Sequence, residues 1–161
     1  MLTSMRVIEL SDEATGLEAF VVIDHDHFSV SAGGTRMLPD VDVDEVARLA
    51  RAMTWKFAAC RVPYAGAKAG VRHAGDAADR SAVMAAYRRA LEALGEAFQT
   101  GPDMGTSADD FLDAVDGPLP VWARTHEGLG MDDLATGHGV KAAAEAALAH
   151  LGRPLDAATV A

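Results

Sequence analysis

From Asp42 to Cys60 the chain repeats apolar residues at helical spacing. Val46, Leu49, Met53, Phe57 and Cys60 draw one stripe along a single helix, and Asp42, Asp44 and Glu45 suit its first turn. A stripe of this length has to be covered by another layer of structure. Lys56 falls on the same stripe, seven residues after Leu49 and four before Cys60, while Arg48 and Arg51 fall off it. The spacing therefore aims a lysine at the helix's own buried face. Twelve positions later stands Lys68, the only charge between Pro63 and Val71, in a strand-like run of Gly66, Ala67, Ala69 and Gly70. Lysine is strongly hydrated and rarely goes inside without a partner or a task.

The remainder alternates strand and helix signals. Residues 5–24 read as a strand, a turn at Thr15–Gly16 and a second strand through Phe20–Ile23. Residues 25–40 are partly extended, broken by Gly33–Gly34 and closed by Pro39–Asp40. A second long helix is expected over about 80–98, with Val83, Tyr87, Leu91, Leu94 and Phe98 inward. Residues 99–107 form a loop. Ser107 with Asp110 resembles a capping box for a short helix over 108–115. Residues 116–133 read as irregular, a last helix is expected from about Thr136 to Leu151, and residues 155–161 begin like a buried strand. Strands followed by helices suggest a layered α/β domain.

With 161 residues the chain can bury a sizeable core. Its net charge of −10 disfavours nucleic acid and anionic membrane, which need a basic face. The single cysteine, Cys60, cannot form an intramolecular disulfide and suits a reducing compartment. No signal peptide or membrane-length apolar run is evident, so a cytoplasmic protein is expected.

Taken singly, each candidate for chemistry has an ordinary explanation. Lys56 could lay its stem along apolar surface, and Lys68 could face water from an edge strand. A lysine that loses hydration among small residues instead has a lowered pKa and is ready for acid–base work. Asp103, in the loop "GPDMG", could simply hydrogen-bond a turn; near two lysines it would stay ionised and exchange protons with one. His25 and His27 look like half of a metal pair but lack further ligands at convincing spacing, so no metal is expected. "AGGTRM" has paired glycines but is no phosphate loop. Cys60, on the apolar stripe, reads as core.

Together, in this order, the motifs resemble the N-terminal substrate-binding and oligomerisation domain of the glutamate, leucine, phenylalanine and valine dehydrogenase family. "GGTRM" at 33–37, "DEVARLARAMTWK" at 44–56, "AGAKAGV" at 65–71, "TGPDMGTSADDF" at 100–111 and "ATGHGV" at 135–140 follow in register. With the helix stripes, the resemblance implies a three-layer α/β/α domain with a mixed sheet. It implies a substrate-binding and oligomerisation domain over 1–134. Residues 135–161 would be a linker helix and the first strand of a dinucleotide-binding domain that the chain does not otherwise contain. Lys56 is similar to the lysine that holds the substrate α-carboxylate, Lys68 to the low-pKa lysine that polarises the carbonyl through water, and Asp103 to the acid–base group. Gly33, Gly34 and Met53 match positions lining the substrate site, and Thr136 one facing the nicotinamide.

The implied reaction is NAD- or NADP-dependent oxidative deamination of an L-amino acid by a homo-oligomer. Glutamate-specific relatives place a lysine just before the glycine pair. Here Ser31 and Ala32 stand there, which favours an apolar substrate such as leucine, valine or phenylalanine over glutamate. Two features depart from the family: Ala65–Gly66–Ala67 replaces a glycine run, and the approach to Gly33 is "FSVSA". The alternatives are a stand-alone oligomerisation or amino-acid-binding module without turnover, and a glutamate dehydrogenase.

Overall fold

Two strands joined at Gly16 open the sheet: β1 (Arg6–Asp12) and β2 (Leu17–Ile23) pair antiparallel, and Gly16 takes a φ of 72° that suits glycine. A computed structural model describes residues 5–74, 78–95, 98–112 and 123–159. In the unit Met1–Ala114 the further elements are β3 (Ser31–Ala32), β4 (Thr35–Leu38), α1 (Val43–Cys60), β5 (Ala65–Arg72), α2 (Arg80–Leu94), β6 (Phe98–Gln99) and α3 (Asp109–Leu112).

β5 is central. It pairs antiparallel with β2 on one side and parallel with β3 and β4 on the other. β3 pairs Ser31 with Ala65, and β4 pairs Thr35 with Ala69, so the two are one strand interrupted at Gly33–Gly34. The interruption lies opposite Ala67 and Lys68. β6 adds in parallel to β3 and completes a mixed sheet.

Alternation along the strands separates the two faces. Arg36 bonds to Glu45 of α1, while its neighbour Thr35 shares a 2.8 Å hydrogen bond with the Tyr87 hydroxyl of α2. α1 and α2 therefore cover opposite faces, giving the three layers expected. Beneath α1, Phe20, Val22, Val41, Val46 and Ala50 form a core cluster. Beneath α2, Val83, Met84, Ala86 and Tyr87 are buried. Burial raises the Tyr87 phenol well above its usual 10.0, so it stays neutral.

Several expectations are corrected here. α1 buries Val46 and Ala50, not the face of Leu49, Lys56 and Cys60; Lys56 and Cys60 are exposed. Small residues set this rotation. A Cβ on Gly66 would sit 2.2 Å from the Thr54 nitrogen and 2.3 Å from the Ala50 oxygen, so helix and strand backbones meet closely along Ala50 and Thr54. The larger Met53 and Phe57 are turned aside to half-buried positions. α2 stops at Leu94, and Phe98 belongs to β6. Of the short helix expected over 108–115, α3 covers Asp109–Leu112, and residues 113–115 lie outside the described residues.

The unit Val115–Ala161 holds a hairpin, β7 (Thr125–His126) with β8 (Leu129–Gly130), then α4 (Met131–His150). The hairpin falls where irregular chain is expected, and α4 begins five residues before Thr136. Leu155–Ala157 make a turn of 3-10 helix where a strand is expected, and Leu155 is 48% exposed. A buried strand needs a neighbour, and β7 and β8 pair with one another. No helix among the described residues is long and apolar enough to cross a membrane.

Candidate active site

Lys68 is 7% exposed and stands in β5 on the face shared with Gly66 and Gly70, the face that α1 covers. Its partner arrives from the loop after β6. That loop is laid along β4 by backbone bonds: the Thr35 amide donates to the Gly101 carbonyl at 2.9 Å, and the Met37 amide to the Met104 carbonyl at 2.9 Å. Gly105, at φ 79°, passes so close to β4 that a Cβ would lie 1.9 Å from the Met37 oxygen. The Thr106 hydroxyl donates to the Thr35 carbonyl at 2.8 Å and accepts the Asp103 amide at 2.9 Å. The loop's anchorage therefore fixes the position of Asp103.

The Asp103 carboxylate reaches across the gap at Gly34. Its Oδ2 lies 3.0 Å from Lys68 Nζ and accepts a hydrogen bond from Arg36 Nε at 2.9 Å. Arg36 is itself held by Glu45 at the start of α1. A Cβ on Gly34 would meet Asp103 Cβ at 3.1 Å and Lys68 Nζ at 3.3 Å, so this glycine gives the pair its room. Both cations use Oδ2. Among the described residues Oδ1 makes no hydrogen bond, and the side chain is 24% exposed, so one carboxylate oxygen stays open.

Burial is the largest influence on Lys68 and lowers its pKa below the usual 10.5. Asp103 opposes the shift without cancelling it, and the positive charges of Arg36 and Lys56 add to it. Burial would raise Asp103, but Lys68 and Arg36 outweigh it and hold the carboxyl below its usual 3.8. The result is an ionised carboxylate beside an amine that gives up its proton more readily than a free lysine does.

The expected residues are distributed unevenly around this pair. Lys68, Asp103 and Gly34 come together. Lys56 is exposed on α1, yet its charge is felt at Lys68. Met53, half-buried, precedes Lys56 by one helical turn. Gly33 packs against β5: a Cβ there would fall 1.6 Å from the Ala67 oxygen, so that glycine is required by the sheet itself. Thr136 is exposed on α4, in the other unit. Sequence reasoning missed Arg36 as the second partner of Asp103; its place beside the glycine pair, opposite the interruption, was the available signal. Among the described residues no three His, Cys, Asp or Glu side chains gather to hold a metal.

An interrupted parallel strand, a buried lysine in the central strand and an anchored aspartate define a mixed-sheet α/β domain built around a lysine–aspartate ion pair. The Glu/Leu/Phe/Val dehydrogenase dimerisation-domain model matches residues 2–116, and the chain belongs to that family. It is 35% identical over 113 residues to phenylalanine dehydrogenase of Lysinibacillus sphaericus, covering 68% of this chain and 30% of that protein. It is equally 35% identical over 114 residues to phenylalanine dehydrogenase of Bacillus thermotolerans, again covering 68% of this chain and 30% of the relative. Among solved structures, L-tryptophan dehydrogenase from Nostoc punctiforme superposes with a TM-score of 0.59 at 26% identity, over 65% of this chain and 32% of that one. The chain thus spans about a third of the length of the relatives it matches.

Proposed function

We propose that this chain supplies the amino-acid-binding and proton-transfer part of an NAD- or NADP-dependent amino-acid dehydrogenase, which converts an apolar L-amino acid to the 2-oxo acid and ammonia. The observation that carries this reading is the buried Lys68–Asp103 pair at 3.0 Å with one carboxylate oxygen left open. Lys56, exposed and near enough to act on Lys68, takes the substrate α-carboxylate, with Met53, Gly33 and Gly34 lining the approach. Asp103 Oδ1 accepts a proton from the substrate ammonium. Lys68 steadies the developing oxygen charge through water and returns a proton to the departing nitrogen.

The described residues carry no strand, glycine-rich turn and helix suited to a dinucleotide, and exposed Thr136 alone does not make a cofactor site. A nicotinamide nucleotide would supply the hydride acceptor, while the residues of this chain bind the amino acid and move its protons. We place the protein in the cytoplasm, in keeping with its unpaired Cys60. We also propose that it self-associates, in keeping with the dimerisation-domain match.

Substrate preference rests on Ala32 and on Arg36. Ala32 offers no charge for a γ-carboxylate, and Arg36 is already committed to Asp103 and Glu45. The test joins this chain to the cofactor-binding remainder of a phenylalanine dehydrogenase and follows nicotinamide absorbance over a substrate panel. Phenylalanine, leucine or valine is expected to turn over faster than glutamate, and Lys68→Ala and Asp103→Asn each to slow turnover by about a hundredfold. Glutamate as the best substrate, or Lys68→Ala at near-parent rate, would contradict the reading. Saturable amino-acid binding with no nicotinamide reduction would favour a binding module.

A further inference from the structure

A carboxylate paired to a lysine alone is free to turn. Rotation about the aspartate Cβ–Cγ bond is broad and two-fold, so the two oxygens can exchange places, and an ammonium is a compact point charge that follows either one. Asp103 is held from a second side as well. Arg36 Nε donates to Oδ2 at 2.9 Å, the same oxygen that lies 3.0 Å from Lys68 Nζ. β4 pairs Arg36 with Gly70, two residues beyond Lys68 in β5, so both cations rise from the same face of the sheet. Two strands thus fix one oxygen and leave Oδ1 as the open one.

Arg36 is itself held, by an acid diverted to it. Asp42 caps α1, its side chain accepting the Glu45 amide at 2.6 Å. In a capping box the acid three residues after the cap turns back to the cap's own amide. Glu45 stands at that position, but its carboxylate takes Arg36 Nη1 instead. The planar guanidinium is thereby clamped between Glu45 of α1 and Asp103 of the loop, which fixes its orientation. Burial works against the charge on Arg36 and the two carboxylates outweigh it, so the guanidinium stays charged.

We infer that Arg36, clamped by Glu45, is a positioning residue: it fixes the Asp103 carboxylate with Oδ2 on Lys68 and Oδ1 open to the substrate. This rests on the proton-transfer roles proposed for Lys68 and Asp103. Arg36 acts through Asp103, with both of its described bonds spent on Asp103 and Glu45. Without it, Lys68 is the one cation on the carboxylate among the described residues. The carboxylate is then free to turn, and Lys68 holds its proton more firmly.

The test has two parts. In the full chain, the Lys68 amine and the Asp103 carboxyl are titrated by nuclear magnetic resonance in the parent, Arg36→Gln and Arg36→Lys. Arg36→Gln should raise both values, because the cation it removes disfavours the Lys68 ammonium and favours the Asp103 carboxylate. Arg36→Lys keeps the charge and should stay closer to the parent. In the enzyme completed with a cofactor-binding remainder, Arg36→Gln, Arg36→Lys and Glu45→Ala all lose the directional hold. Each should lower kcat by about tenfold or more and change KM by less than about twofold, since Lys56 takes the substrate carboxylate. A residue that acts only through Asp103 has little left to lose once that carboxylate is gone, so Arg36→Gln should cost little further in an Asp103→Asn background. An equal loss in both backgrounds, or a Lys68 titration unmoved in Arg36→Gln, would overturn the inference. Lys68→Ala at near-parent rate would instead contradict the proton-transfer reading, and the Lys68 titration in the full chain then decides whether Arg36 acts on the pair.

Discussion

At the scale of single residues, Lys68 and Asp103 were legible because each is out of place. A lone charge in "AGAKAGV" and an acid between proline and glycine are exceptions to the ordinary distribution of polar groups. What the sequence could not show is which groups meet. Arg36 and Asp103 are 67 positions apart, and no periodicity links a strand arginine to a loop acid. Lys56 was misplaced for a related reason: the face it shares with Leu49, seven residues earlier, is buried only if Leu49 points inward, and Leu49 is half-buried. The pair also sets how stability follows pH. Asp103 and Asp110 both have pKa values held below the usual 3.8 in the folded chain. Their contribution is complete above 3.8 and is lost as pH falls through the lowered values. Lys68 acts in the alkaline range. Its folded pKa lies below 10.5, so the unfolded chain binds more protons in the window between the two, and stability rises with pH there. Urea unfolding from neutral pH towards 10.5 should show that rise in the parent and a flatter profile in Lys68→Met; a steeper rise in Lys68→Met would contradict the assignment. Asp110 takes two hydrogen bonds from Arg80 at 2.7 Å each and one from the Ser107 amide at 2.7 Å. Asp110→Ala leaves Arg80 without its carboxylate and should cost about 2–3 kcal/mol in the same unfolding measurement.

At the scale of elements, the sequence located the strands and helices better than it oriented them. The β1–β2 hairpin, α1 and β5 fall where spacing and turn residues place them. The rotation of α1 was misread because a periodicity reading gives weight to large apolar residues, whereas the contact with β5 is made by small ones. A Cβ on Gly66 would fall within 2.3 Å of Ala50 and Thr54, so helix and strand backbones lie directly against one another there. The signal was present as Ala50 and Thr54 on one face, four apart, facing a glycine-bearing strand. Gly66→Ala is therefore expected to push α1 off the sheet and cost about 3 kcal/mol or more, on the scale of overpacking at a rigid backbone contact. Gly137→Ala is the control, since a Cβ there meets nothing within 4 Å. Equal melting temperatures for the two variants would show that the backbone contact has slack. β3, β4 and β6 were the hardest to read: each is two to four residues long, and β3 and β4 are defined by their pairing to β5 and not by a pattern of their own.

At the scale of the molecule, order along the chain carried more information than any one motif. Five short segments in register pointed to the family, and the match to residues 2–116 covers the unit that holds Lys68 and Asp103. Exposed apolar side chains on the second unit, Leu129 at 57%, Val140 at 66% and Leu151 at 66%, were not distinguishable from core positions by composition. The first unit carries its own: Trp55 is 69% exposed on α1. Such surface is consistent with association. Light scattering or sedimentation at micromolar concentration is expected to show a species larger than the monomer. A monomer throughout that range would count against self-association through this chain.

The most direct test of the central claim is the titration of the Lys68 amine itself, by nuclear magnetic resonance of labelled lysine side chains in the full chain, with exposed Lys141 as the internal reference. A buried lysine coupled to Asp103 should titrate below 10.5 in the parent. Because the carboxylate raises the Lys68 pKa, Asp103→Asn should lower it further; because Lys56 lowers it, Lys56→Ala should raise it. A Lys68 that titrates with Lys141 and does not move in Asp103→Asn would show that the two residues do not share a site.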